Sequence, residues 1–371
     1  MIDAAFWRGK RVLLTGHTGF KGAWTALLLR AMEAEVYGLA LAPEGSQALF
    51  NVAAVANDLD HAICDIRDRD AVQAAFARTR PEIVIHMAAQ ALVRVSYVEP
   101  VETYATNVMG SVHVLEAARR APDLKAVVVV TSDKCYDNVG SVQGYRETDR
   151  LGGHDPYSNS KACAELVVDA YRRSFFSGGR GPRLASARAG NVIGGGDWAK
   201  DRLVPDAMRA FASDRPLHVR YPHAVRPWQH VLDPVAAYLL LAEHLVHGGE
   251  TFEDAWNFGP APTSEVPVST IADGLARRWG RGATWEWEGG DHPREAASLK
   301  LDCVKARAKL GWRPLIDLDE ALDLTVDWYL ASRRGADMRA FTLNQVAKGL
   351  GRMAGAGLDR GLGLAGSAPY A

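Results

Sequence analysis

Cysteine is scarce in this sequence. Four residues, Cys64, Cys135, Cys163 and Cys303, are scattered over 371 positions. No two have metal-ligand spacing, and a disulfide framework would be sparse for this length, so reduced thiols are expected. An excess of either charge is also missing. Lys and Arg number 43 against 44 Asp and Glu, a formal net charge of −1. That balance argues against the dense basic surface that bulk nucleic-acid binding needs, while leaving room for a local basic pocket for one diphosphate. No uncharged apolar run reaches the roughly 18 residues of a membrane helix. Met1–Lys10 has no apolar h-region, so no secretory signal is expected and the expected compartment is the cytoplasm. His86, His113 and His230 stand at spacings unsuited to a shared metal ion, so no metal is expected and hydrogen-bonded structural histidines are. No internal repeat is visible.

The first half has a clear rhythm. Short β-rich apolar runs, Arg11–Thr15, Glu35–Leu41, His61–Cys64, Glu82–Met87, Ala126–Thr131 and Arg183–Arg188, alternate with helical patterns. Among the predicted helices are Val101–Arg120 and one running from Pro156 to about Phe175. Strands alternating with helices imply a parallel sheet covered on both faces. The expected class is α/β, a Rossmann-like doubly wound sheet over residues 1–190 with a smaller, partly interleaved C-terminal substrate lobe. That lobe spans 191–348 and sends segments back to the sheet. Residues 349–371 are Gly/Ala-rich and are expected to be a poorly ordered tail. Trp256, Trp312 and Trp328 are expected to be packing residues.

Gly16, Gly19 and Gly22 lie between the first strand and its helix, the context a dinucleotide fold requires. Glycine lets the backbone approach a pyrophosphate, and the helix N-terminus adds a favourable dipole. Thr18, Phe20 and Lys21 lie in the same turn. From Ala31 to Ile66 there is no Lys or Arg for a 2′-phosphate, which favours NAD over NADP. The usual acid at the end of the second strand is absent too. Asp65 and Ile66 stand where an adenine edge would be met, and Asp65 reads equally well as a helix N-cap or first-turn acid.

Tyr157 and Lys161 are four apart on a predicted helix and share a face. A tyrosine becomes a base only if its pKa of about 10 is lowered, which a nearby ammonium does. Thr131-Ser132-Asp133-Lys134 closes the fifth strand. Ala88-Ala89-Gln90 closes the fourth at the same sheet edge, and Asn107 lies on the following helix. Open α/β sheets bind ligands at that edge.

These motifs identify the chain as resembling the extended short-chain dehydrogenase/reductase family, from Lys10 to about Gly349. GHTGFKG (Gly16–Gly22), TSDKCYDN (Thr131–Asn138), YRETDRLGGHDPYSNSKACAE (Tyr145–Glu165), ARAGNVIGGGDW (Ala187–Trp198) and RPWQHV (Arg226–Val231) most resemble the branch of sugar-nucleotide 4,6-dehydratases that uses CDP-D-glucose. The Asp133-Lys134 pair matters most. The similar dTDP-glucose enzymes read Asp-Glu there, and epimerases of the family lack the pair.

The resemblance implies NAD as cofactor and a redox-neutral loss of water that yields a 4-keto-6-deoxy sugar for deoxysugar biosynthesis, with lipopolysaccharide O-antigen as its setting. It implies Tyr157 as base for the sugar O4, Lys161 as its charge partner and ribose ligand, and Ser132 as a hydrogen-bond donor to O4. Asp133 is then the acid for the leaving hydroxyl and Lys134 the C5 base. The reverse assignment needs less tuning of the lysine and stays open. Implied substrate contacts are Arg94, Asn191, Gly196, Asp197, Trp198, Arg202, Arg226, Gln229 and His292. Arg226 reads as a phosphate fork or as a structural ion pair. A homo-oligomer, dimer or tetramer, is implied, with neither nucleic acid nor membrane as partner. Two other readings stand beside this one: a dTDP- or UDP-sugar dehydratase or epimerase of the same fold, and an idle NAD-binding regulatory protein.

Overall fold

The computed structural model describes residues 2–141, 143–290 and 298–355. Six strands follow the rhythm of the first half: β1 (Arg11–Thr15), β2 (Glu35–Ala40), β3 (Asp60–Ile63), β4 (Ile83–His86), β5 (Ala126–Val130) and β6 (Arg183–Arg188). A later strand, Ala255–Asn257, joins outside β6. The sheet order is Ala255–Asn257, β6, β5, β4, β1, β2, β3, and every pairing is parallel. The order reverses between β1 and β4, the point at which such sheets open a crevice at their C-terminal edge.

The apolar strands follow from burial on both faces. Val127 and Val129 of β5 pack with Val114, Leu115 and Val84 on one side. Ala126, Val128 and Val130 pack with the core on the other. The helix Leu232–Gly248 covers that second face and is buried over most of its length, Tyr238 and Leu239 included. Trp256, Trp312 and Trp328 are buried in the same core.

Apart from Ala255–Asn257, the strands described beyond β6 form two-stranded pieces. Val192–Ile193 pairs with Gln229–His230, Leu217–Val219 with Trp285–Trp287, and Val225–Pro227 with Glu265–Pro267. No helix of the described residues is long and apolar enough to cross a membrane.

Two details differ. The segment predicted as one helix, Val101–Arg120, is helical from Pro100 to Arg119 as expected, but it widens into a π-turn at Ala105–Met109. The wider turn is where Asn107 reaches two neighbouring segments, and such bulges often mark sites. Gly110 is needed just after it, because a Cβ there would lie 2.5 Å from Ile66 Cδ1. The expected tail also starts too early. A helix runs from Met338 to Gly355, with Val346 and Met353 buried. Glycine at 349 admits close packing, since a Cβ there would stand 2.9 Å from Leu232 Cδ1. Arg339 pins this helix to Asp58 through two bonds of 2.8 Å. The rest of that stretch lies outside the described residues.

A buried carboxyl holds the N-terminal segment. Glu243 accepts hydrogen bonds from Trp7 Nε1 (2.5 Å) and the Asp3 amide (3.0 Å). Burial pushes its pKa from an ordinary 4.5 up to about 8. The folded state therefore prefers the protonated form. Its contribution is full below pH 4.5 and is lost as pH rises towards 8. Glu243→Gln keeps the acceptor and removes the titration. Its thermal midpoint is expected to gain on the wild type as pH rises from 5 to 8, by differential scanning calorimetry. Parallel midpoint curves would remove Glu243 as the cause.

Candidate active site

A cleft of about 1900 Å³ runs along the C-terminal edge of the sheet. At its base Thr15 Oγ1 contacts His86 Nδ1 (2.7 Å) and accepts from the amides of Met87 (3.0 Å) and Ala88 (3.1 Å). These bonds join the ends of β1 and β4 where the sheet divides.

The glycine turn forms one wall. Gly16 has φ +77°, and a Cβ there would lie 2.8 Å from the Ala88 amide nitrogen. A Cβ on Gly22 would lie 2.0 Å from Gly16 O. The turn is therefore open only to glycine at both places. Gly19 caps the helix Phe20–Ala31 with no side-chain bond, so side chains leave its first amides for an incoming group. Thr18 Oγ1 donates to Leu41 O at 2.8 Å and holds the turn to the end of β2. This cradle fits a dinucleotide pyrophosphate. Asp65 and Ile66 line the same end of the cleft, as do Ala88, Ala89 and Gln90. The Asp65 carboxylate also holds Arg67 at 2.8 Å, which keeps its pKa below the usual value.

The reaction centre lies beyond the turn. Asp155 caps the helix Pro156–Tyr171 by accepting from the Ser158 amide, and Pro156 occupies the first turn. This start orients Tyr157 and Lys161. Tyr157 is buried, and burial pushes its pKa up to about 12, opposed by a hydrogen bond with Ser132 and by the charge of Arg202. Burial brings Lys161 down to about 8, and its ammonium donates a long bond of 3.4 Å to Val130 O. Lys21 is likewise lowered to about 8 by burial and by Lys161 and Arg202. It faces the reaction centre, with its ammonium 5.9 Å from the Tyr238 ring centroid.

Ser132 Oγ donates to Asp133 Oδ1 at 3.0 Å and accepts from the Lys134 amide at 3.2 Å. Asp133 is 1% exposed, and its Oδ2 has no hydrogen-bond partner. It fits only because residue 190 is glycine, since a Cβ there would lie 1.8 Å from Oδ2. Lys134 is half-buried and lines the cleft.

The opposite wall is the loop Gly194-Gly195-Gly196-Asp197-Trp198. Aromatic groups clamp it. Trp24 Nε1 donates to Gly195 O (3.0 Å), Tyr329 Oη donates to Asp197 O (2.5 Å), and a Cβ on Gly195 would lie 2.0 Å from the Trp328 ring. The Asp197 carboxylate then holds Arg202 at 2.9 Å. Asn191, Gly196, Asp197, Trp198, Arg202 and the buried Arg226 all line the cleft. Arg94 lines its rim and pairs with Asp201 at 3.3 Å.

Three expected ligands fall elsewhere. Asn107 is turned inward: Nδ2 donates to Gln90 O (3.0 Å) and Ser160 Oγ (2.8 Å), and Oδ1 accepts from the Gln90 amide (2.8 Å). It braces the wall without lining it. Gln229 is 1% exposed and donates to Gly190 O (3.2 Å) and Phe258 O (3.0 Å), so it supports the loop that admits Asp133. His292 lies outside the described residues. Sequence reasoning missed Gly190, Glu165 and Arg188. The last two form a buried ion pair of 2.7 Å behind Thr131. The available signal was a carboxylate eight residues after Tyr157, on the same helical face.

The pattern of the NAD dependent epimerase/dehydratase family matches residues 12–259, and the chain belongs to that family. It is 51% identical to the CDP-glucose 4,6-dehydratase of Salmonella typhimurium over 342 residues, 91% of this chain and 95% of the relative. It is 28% identical to the dTDP-glucose 4,6-dehydratase of Neisseria gonorrhoeae, over 87% of this chain and 96% of the relative. Among solved structures, the UDP-glucose 4-epimerase of Thermus thermophilus with NAD superposes with a TM-score of 0.75 at 27% identity, over 87% and 99% of the two chains.

Gly190→Ala tests the geometry around Asp133. The added methyl group cannot coexist with Oδ2 where it stands. Turnover is expected to fall at least about 100-fold while the glycine turn keeps its nucleotide affinity, read by steady-state assay and calorimetric titration with NADH. Wild-type turnover in the folded variant would show that the placement of Asp133 does not matter.

Proposed function

We propose that this chain converts CDP-D-glucose to CDP-4-keto-6-deoxy-D-glucose and water. The observation that carries the reading is Asp133-Lys134 at the end of β5, beside Ser132, Tyr157 and Lys161 in one cleft. A family epimerase needs no such added acid–base pair. The relative at 51% identity is a dehydratase of CDP-glucose.

NAD, when held at the glycine turn, supplies the redox chemistry: a hydride acceptor for the sugar C4 and later a hydride donor for C6. Tyr157 takes the O4 proton. With burial holding the phenol near 12, the neighbouring cation Arg202 and the Ser132 hydroxyl favour the phenolate. Lys161 adds charge on the same helix face and would hold the ribose of the bound dinucleotide. Ser132 orients O4. Once C4 is a ketone the C5 proton is acidic. Lys134 removes it, and Asp133, with Oδ2 free in the cleft wall, gives a proton to the departing C6 oxygen. A proton returned to C5 completes a redox-neutral cycle.

Asn191, Gly196, Asp197, Trp198 and Arg202 form the diphosphate wall, and Arg226, whose Nη1 donates to Val225 O at 2.9 Å, is assigned to the same wall. The expected setting is cytoplasmic deoxysugar biosynthesis. A second copy of the chain is the proposed partner. Val98, Val101, Tyr104, Met109, Leu166 and Phe175 are exposed apolar side chains on the helices between 93 and 119 and from 156 to 176, and apolar surface of this kind suits a partner chain.

The test is a panel of CDP-, dTDP-, UDP- and GDP-hexoses, read by the alkaline absorbance of a 4-keto-6-deoxy sugar and by loss of water in mass. Product from CDP-glucose is expected. Product from another nucleotide alone removes the base assignment, and no product from any removes the dehydratase reading. Lys134→Met is expected to stall after oxidation and to accumulate bound NADH, read by its near-ultraviolet absorbance. Full turnover would exclude Lys134 from the chemistry. Light scattering on the same preparation is expected to give at least two chains per particle, and a single-chain mass would contradict the partner assigned to the band.

A further inference from the structure

No step above uses the ion pair between Glu165 and Arg188. Glu165 stands one helical turn beyond Lys161 and two beyond Tyr157, so the three side chains rise from one face of the helix Pro156–Tyr171. It is 3% exposed. Its oxygens serve two strands. Oε1 accepts from Thr131 Oγ1, just past β5. Oε2 accepts from Ser186 Oγ and from Arg188 Nη2 on β6, both at 2.7 Å. Arg188 also donates to Tyr136 Oη at 2.8 Å and lies 4.9 Å from that ring's centroid. Tyr136 Oη in turn donates to Asn257 Oδ1 at 2.7 Å. A buried ion pair is weak evidence for stability, because apolar side chains of similar volume often fill such a place as well. What apolar side chains cannot supply is a negative charge one turn from a buried ammonium.

The titratable groups facing Lys161 are few. Its own helix gives Glu165 and Tyr157, whose phenol burial pushes up to about 12; the loop after β5 gives Cys135, β4 gives His86, and the helix Phe20–Ala31 gives Lys21. Burial raises the Cys135 thiol and lowers His86 to about 3, so both are neutral near pH 7, and Lys21 is a cation. Glu165 is the anion of the set.

Resting on the C4 oxidation described above, we propose that Glu165 is a positioning residue for that step: its carboxylate, anchored by Arg188, keeps the Lys161 ammonium charged and holds Thr131, and with it Ser132, in place under the sugar O4. Burial takes Lys161 from an ordinary 10.5 to about 8, and Glu165 opposes that fall. The Glu165 carboxylate stays ionised because Arg188, Thr131 and Ser186 all donate to it, and they hold its pKa below the usual range against its burial.

The test compares wild type, Glu165→Gln and the double variant Glu165→Gln/Arg188→Met, each checked for a native thermal midpoint. Glutamine keeps size and an acceptor oxygen, and the double variant avoids stranding the arginine. Trace acetylation read at Lys161 by peptide mass titrates the ammonium without any substrate. Both variants are expected to titrate about one pH unit lower than wild type. The alkaline limb of kcat is expected to move down with it, with kcat about twofold lower near pH 7, approaching about tenfold lower above pH 8, and KM within about twofold. A folded variant whose Lys161 titration and kcat–pH profile both overlie the wild type overturns the proposal. If only the double variant folds, the same comparison applies to it. Wild-type inactivity on CDP-glucose would instead count against the assigned reaction, which the labelling arm does not depend on.

Discussion

Three elements of the reaction centre meet at one carboxylate. Glu165 bonds Thr131 at the end of β5, and Ser186 and Arg188 on β6, from the helix that carries Tyr157 and Lys161. The sheet around it is apolar on both faces, so a charge buried there must be fully partnered. That requirement sets the spacing of β5, β6 and the helix. The residues proposed to touch substrate stand one step outward. Ser132 and Asp133 follow Thr131, and Gly190 follows Arg188 by two and leaves room for Asp133 Oδ2.

A second constraint shapes the substrate wall. The triple-glycine loop passes between Trp24, Trp328 and Tyr329, where side chains at Gly195 would overlap a ring. Its rigidity places Asp197, which in turn aims Arg202 into the cleft. The same cation acts on Tyr157. The proposed diphosphate wall is therefore coupled electrostatically to Tyr157, the proposed base at O4.

Much of this was legible in the residue order. β5 reads as a strand because it is buried on both faces, and that burial demands a parallel, doubly covered sheet. Gly16, Gly19 and Gly22 were readable because each answers a local steric demand. Tyr157 and Lys161 were readable because helix spacing alone puts them on one face. Side-chain direction across long sequence separations was less accessible. Asn107 and Gln229 have the chemistry of ligands, and both use it on groups 17 to 53 residues away. Gly190 has meaning only against Asp133, far earlier in the chain. The C-terminal helix was hidden by composition, because glycine at 349 looks like disorder until Leu232 is seen packed against it.

One cleft is proposed to oxidise C4, expel the C6 oxygen and restore hydrogen to C6 within a single binding event. The most direct measurement uses CDP-glucose carrying deuterium at C4, turned over in ordinary water, with the product read by NMR and mass. Deuterium is expected at C6 of the 4-keto-6-deoxy product, one atom per molecule. Deuterium lost to solvent, or retained at C4 in a product that has kept its water, would contradict it.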